Sequence, residues 1–269
     1  MSKNNRSSFW VVSAPDLNTA LVYVEASPNL DKAVSVETAT LDARSIENEP
    51  DNLGPVISGL NISGPDNSGV NKNNSGPNNT VLEMTFYDCD GDQANQAKIE
   101  FSTKRQCLFE LEPLLGGLKR QAGFAHGLVT LSGRSDISRL LLRYQSSHAS
   151  WLIPSHKVIS RSKPHALAVH LSESRRGLLV LANTENTEVT VRGRLLVGKR
   201  SPECAWTLPG RSSRIVDLVG TFADVIGEDP SSMFGRGYLR LSTSSEGGVI
   251  THLMLLSGAE DGSESIQIF

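Results

Sequence analysis

The sequence predicts an all-β protein made of two tandem antiparallel β-sandwiches. Two observations carry that expectation. Self-comparison finds one succession of segments twice along the 269 residues, which marks a duplicated unit. The segments are short, rich in Val, Ile, Leu and Thr, and separated by Gly, Ser, Pro and Asn clusters, with no alternation of helix and strand between them.

The strongest match pairs Gly127–Tyr144 with Gly237–Met254, without a gap and at a period of 110 residues. Ala97–Leu111 aligns with Cys204–Leu218, so that Phe101 meets Leu208, Leu108 meets Ile215 and Glu110 meets Asp217. Upstream, Ala20–Val24 matches Gly177–Leu181, and Ala33–Ser45 resembles Glu188–Ser201. The period suits a duplicated sandwich and exceeds the about 20–50 residues of a solenoid repeat. The expected units are residues 1–150 and 163–269, joined by a linker at 151–162.

Inside a unit, Leu239 and Leu241 alternate with Tyr238 and Arg240, the period of a half-buried strand. Val129 and Leu131 repeat the pattern in the first unit. Helical periodicity is weak, and only Leu111–Gln121 and Val219–Ile226 are candidates for a turn or two of helix. An Asn-, Gly- and Pro-rich insert at about 45–80 interrupts the first unit, with Ser-Gly at 58, 63, 68 and 75. Such composition cannot offset its ordering entropy alone, so a tolerated loop extension is the expectation. Two placements stay open. Either Ala33–Ser45 is the counterpart of Glu188–Ser201, or the segment from Val81 is, and then everything from Asn29 to Asn79 is inserted.

The order of Leu178–Leu255 (a strand ending in Asn183, a Val/Thr strand, a Pro-Gly-Arg-Ser turn, an Asp-Leu strand and a final pair containing Gly248) resembles bacterial tandem immunoglobulin-like repeats of surface proteins. The first unit follows the pattern loosely. The resemblance implies immunoglobulin-like sandwiches, a structural or adhesive role without enzymatic activity, and a cell-surface or extracellular location. No ordinary secretory leader is visible, since the apolar run Phe9–Val12 is shorter than the about 7–15 residues such a segment needs.

Composition narrows the function further. The net charge of −3 has both signs scattered, so no nucleic-acid face is expected, and no apolar run approaches the about 18 residues of a membrane helix. Aromatics at 6% are sparse for a sugar-stacking protein. Cys89, Cys107 and Cys204, odd in number and irregularly spaced, are no disulfide framework.

The candidate site is Asp88-Cys-Asp-Gly-Asp92. Asp88, Asp90 and Asp92 put carboxylates at alternating positions around a turn glycine. Calcium takes about 6–8 oxygens, so these three are a weak calcium candidate; Asp-Gly is also ordinary hairpin chemistry, which is the favoured reading. His148, His156, His165 and His170 have no metal-ligand spacing. His252 falls at the place of Leu142 and reads as a strand residue. Trp206 matches Ile99 at a core position, and Trp151 is placed to pack the units together. Glu110 and Asp217, recurring in both copies, read as fold residues. The sequons at Asn61, Asn73 and Asn78 matter only in a eukaryotic secretory route. No cofactor is expected. The expected partners are other copies of the chain, or a surface protein or glycan, possessed by a structural or adhesive subunit of a larger assembly such as a filament or surface layer. A carbohydrate- or calcium-binding module is the alternative.

Overall fold

The computed structural model describes residues 5–14, 17–23, 38–39, 56–57, 79–102, 107–133, 140–146, 150–154, 158–159, 164–244, 248–258 and 264–268. Most of the insert, its sequons, His148 and His156 lie outside them. Among the described residues the chain is mostly strand, in four largely antiparallel sheets.

The first half contributes β1 (Asn5–Ser13), β2 (Asn18–Tyr23), β3 (Thr38–Ala39), β4 (Val56–Ile57), β5 (Asn79–Asp88), β6 (Gln93–Ser102), β7 (Cys107–Glu110), β8 (Arg120–Gln121), β9 (Phe124–Gly133), β10 (Leu140–Gln145) and β11 (Ser150–Pro154). The second contributes β12 (Val158–Ile159), β13 (His165–Leu171), β14 (Arg175–Asn183), β15 (Val189–Val197), β16 (Glu203–Leu208), β17 (Ser213–Asp217), β18 (Gly235–Thr243), β19 (Val249–Gly258) and β20 (Glu264–Ile268). Sheet I runs β11-β10-β2-β7-β3, and sheet II runs β1-β9-β5-β6-β4 with β8 on β9. Sheet III runs β12-β19-β14-β17 with β20 also on β19, and sheet IV runs β13-β18-β15-β16.

The duplication extends to topology. The path β1-β9-β5-β6 has the form of β13-β18-β15-β16, and β11-β10-β2-β7 that of β20-β19-β14-β17. It extends to single atoms as well. A Cβ on Gly127 would lie 2.0 Å from the Tyr87 carbonyl oxygen, and one on the matching Gly237 would lie 2.1 Å from that of Leu196. Both positions need glycine because the neighbouring strand's backbone passes so close.

β5 holds in sheet II the place that β15 holds in sheet IV. The segment from Val81, not Ala33–Ser45, is therefore the counterpart of Glu188–Ser201. Two described pieces of the intervening chain, β3 and β4, extend sheets I and II by short parallel pairings with β7 and β6. Both expected helical turns exist, as α1 (Glu112–Leu115) and α2 (Leu218–Ile226). Asp217 caps α2 by accepting from the Gly220 N–H at 3.3 Å. Trp151 lies in β11, half-buried against the first core and paired with Tyr144.

Two registers differ by one residue from the sequence alignment. Leu21 pairs with both Leu142 and Phe109, while Leu179 pairs with Leu253 and Val216. Ala20 therefore corresponds to Leu178 rather than Gly177, and Leu142 to Leu253 rather than His252. One extra residue between β18 and β19 causes the second shift. A one-residue slip moves a side chain to the opposite face of its sheet, so His252 points out of its own sandwich.

Sheets I and II enclose one core, with Leu21, Phe109 and Leu142 meeting Met84, Phe86 and Leu131. Sheets III and IV enclose another, with Leu179 and Leu253 meeting Val191, Trp206 and Leu239. Sheet II and sheet III also pack together, because Leu178, Val180, Ile215 and Met254 on the outer face of sheet III belong to the first cluster. The result is a four-layer stack, I–II–III–IV.

Candidate functional site: the seam between sheets II and III

The seam explains why several strands are apolar without alternation. Phe9–Val12 in β1 and Leu178–Ala182 in β14 are buried throughout, because each strand has a core on both faces. On the sheet II side, Trp10 is the central residue and is 0% exposed. Its ring lies 6.0 Å from His126, 6.2 Å from Tyr144 and 6.0 Å from His252. Tyr144 donates its hydroxyl to the Trp10 carbonyl at 2.5 Å, which satisfies an edge-strand acceptor of β1.

His126 is the polar centre of the seam. Trp10 Nε1–H donates to its Nδ1 at 3.4 Å, and Ser213 Oγ of β17 lies 2.9 Å from the same nitrogen. With Nδ1 accepting, the proton sits on Nε2, which is buried without a hydrogen-bond partner among the described residues. Burial drives the pKa from 6.5 down to about 4, with Asp90 opposing weakly. The imidazole is therefore neutral near pH 7.

The hairpin between β5 and β6 carries the three predicted carboxylates and forms one end of this seam. Asp88 is buried and its Oδ1 accepts from the backbone N–H groups of Asp90 and Asp92, at 2.9 and 3.0 Å. That is an Asx-type turn, the ordinary use of Asp at such a place. The three carboxylates do converge, with ligand atoms within 4.8 Å of one another. A cation already stands among them: Lys119 Nζ lies 2.9 Å from Asp88, Asp90 and Asp92. Hydrogen bonds to Asp90, Asp92 and Asp88 raise its pKa far above the ordinary lysine value. A calcium ion would have to displace this ammonium. Cys89 is half-buried; burial and then Asp90 and Asp88 push its thiol pKa upward, so it is a poor nucleophile.

The same hairpin is pressed onto the second half. The Cys89 carbonyl accepts from Ser213 N–H at 3.0 Å, and Arg211 lies over the Tyr87 ring at 5.9 Å. A Cβ on Gly91 would stand 2.3 Å from the Gly210 carbonyl oxygen, and Gly91 has φ +92°. Beside it, Gln121 Oε1 accepts from Ile215 N–H at 3.1 Å. Two outward N–H groups of the edge strand β17 are thus satisfied by the first half, which closes an edge that would otherwise be open.

The sequence singled out Asp88, Asp90 and Asp92 but not their partner Lys119, nor the group of Trp10, His126, Ser213 and His252. The runs Phe9–Val12 and Leu178–Ala182, too apolar for a sheet with one solvated face, were the available signal. His165 is bonded within the second half, its Nδ1 3.2 Å from Thr251 Oγ1, and His170 is exposed on sheet IV. Glu110 and Asp217 occupy matching places, paired with Ala20 and Leu178, but the polar contacts near them fall on Asp217 in one half and on Glu112 in the other. Asp217 caps a helix and pairs with Arg176 at 3.1 Å, while in the first half Glu112 takes the Thr19 N–H and Ser13 hydroxyl. Cys89, Cys107 and Cys204 form no disulfide. No helix among the described residues is long and apolar enough to cross a membrane. No family model matches the chain, and no curated protein matches it.

Proposed function

We propose that this chain is a non-enzymatic structural or adhesive protein that works by seating β-sheet faces against other copies of itself or a surface partner. The observation that supports the reading is the seam. A complete sandwich sheet, sheet II, carries on its outer side a second apolar face that seats a neighbouring sandwich. Face-to-face stacking is thus how this module meets another of its kind. The immunoglobulin-like character and a cell-surface site of action belong to the same proposal. The strand ending in Asn183 and the Pro209-Gly210 turn of the second half support it.

Sedimentation velocity and negative-stain electron microscopy over a range of concentrations test the reading, together with binding to cell surfaces. Assemblies that grow with concentration, or saturable attachment to a surface or partner, are the expected result. A particle that stays monomeric at high concentration and attaches to nothing refutes it.

A further inference from the structure

We infer that the outer face of sheet IV is a docking surface for an acidic protein. The inference rests on the assembly reading above and names the partner for one face. Register fixes the correspondence. Trp10 pairs with Leu128 and Val12 with His126 on sheet II, while Ala168 pairs with Tyr238 and His170 with Arg236 on sheet IV. The surface that receives sheet III in the seam therefore has its counterpart at Ala168, His170, Arg236 and Tyr238.

In the first half this surface is covered; in the second it is open. Tyr238 is 60% exposed, and Ala166, Ala168 and His170 are exposed beside it. Ala168 stands where the seam has Trp10, and a hollow of about 790 Å³ runs along the free edge strand β13, bordered on the outer side by Ala168, His170, Arg236 and Tyr238 and reaching inward to Leu253 and Leu255 of sheet III. An exposed apolar hollow with an aromatic rim marks an interaction site more than a random surface.

Charge decides what fits. The matching face of sheet II has Thr130 and Thr85 where sheet IV has Arg240 and Arg194, and its charges at Glu83 and Lys98 pair with each other, whereas sheet IV carries Arg192, Arg194, Arg236 and Arg240, all exposed. Arg194 faces Arg240 directly across β15 and β18 and takes the acid Glu203 of β16. Arg192, Arg236 and Arg240 have no acidic partner among the described residues. Like charges directly opposite on a sheet are unfavourable until an anion bridges them, and arginine forks match carboxylates. The partner therefore supplies carboxylates around an apolar knob.

A second copy fits poorly. Its equivalent of the sheet III face is the outer side of sheet I, where Ala20, Val22 and Leu108 are 2%, 3% and 0% exposed and so already closed within the chain. Two sheet IV faces meeting about a two-fold axis would set arginines against arginines. Single-stranded nucleic acid stacks successive bases on several aromatics, and among the described residues this face offers only Tyr238.

The test measures binding of the full chain, by fluorescence anisotropy, to three labelled probes: a poly(Glu,Tyr) copolymer, a poly(U) strand and the chain itself. We expect saturable binding of the copolymer. The Arg236→Glu/Arg240→Glu variant should weaken it at least ~10-fold and Tyr238→Ser several-fold, while Arg120→Glu, remote from this face, leaves it unchanged. Circular dichroism confirms that the variants, all at exposed positions, remain folded. No copolymer binding, or binding indifferent to the Arg236 and Arg240 reversals, overturns the inference. Tighter binding of poly(U) overturns it in favour of a nucleic-acid face. Self-association abolished by Tyr238→Ser overturns it while leaving the assembly reading intact, and loss of every assembly or attachment overturns that reading itself.

Discussion

Asn183 ends β14 and is 0% exposed, yet its amide is fully used. Its Nδ2 donates to the carbonyls of Thr187 at 2.7 Å and Pro209 at 2.9 Å, and its Oδ1 accepts from Glu185 N–H at 2.9 Å. One side chain thus ties the β14–β15 turn to the Pro209 turn. Asn183→Ala strands those buried groups and should lower stability by about 2–4 kcal/mol, measured by urea denaturation. His126 makes stability depend on pH. Its folded-state pKa, about 4, lies below the ordinary 6.5, so the neutral form is the one that fits. The stability it contributes is complete above pH 6.5 and is lost as pH falls through about 4. Comparing unfolding at about pH 7.5 and 4.5 should show wild type losing about 3 kcal/mol more than His126→Gln. Lys119 makes a third prediction. Removing its ammonium leaves three carboxylates facing one another, so Lys119→Ser should melt at lower temperature and regain part of the loss in calcium. Wild type should show no calcium-dependent shift in the same scanning-calorimetry series.

At the scale of elements, alternation and turn chemistry made the strands and the duplication legible. Gly127 and Gly237 headed the best gapless match because each sits where a carbonyl of the next strand leaves no room for a Cβ. Trp206 also reads correctly as core. It fills the space above Gly193, where a Cβ would lie 2.5 Å from the indole, so the pair exchanges volume between strands. Gly193→Ala should cost about 1–3 kcal/mol by overpacking, visible as a lower melting temperature with a shifted Trp emission. The partners of Asp88, Asp90 and Asp92 were not legible, since Lys119 is 27 residues from Asp92 and reaches it only through the fold. His252 was misplaced because apolar matches on both sides of a loop do not reveal one extra residue inside it. The hairpin at Gly91 is the element most exposed to a single change. Gly91→Ala meets both a positive φ and the Gly210 carbonyl, so it should loosen the seam while leaving each sandwich core packed. Faster hydrogen exchange confined to β17 and the hairpin would be the readout.

At the scale of the molecule, the seam makes the two sandwiches one cooperative body. Residues 163–269 expressed alone would expose Leu178, Val180, Ile215 and Met254 together, a patch of the kind that drives association. That fragment should aggregate or need detergent, whereas the full chain should unfold in a single transition by calorimetry. Trp10, whose ring is covered by His252 of sheet III, also sets a schedule. β9 is complete at Gly133 and β19 at Gly258, which are 258 − 133 = 125 residues apart. At about 5–20 residues per second of synthesis, the face around Trp10 and Leu128 waits about 6–25 s for its cover. During that interval the nascent first half is a chaperone substrate even when its own core is already closed.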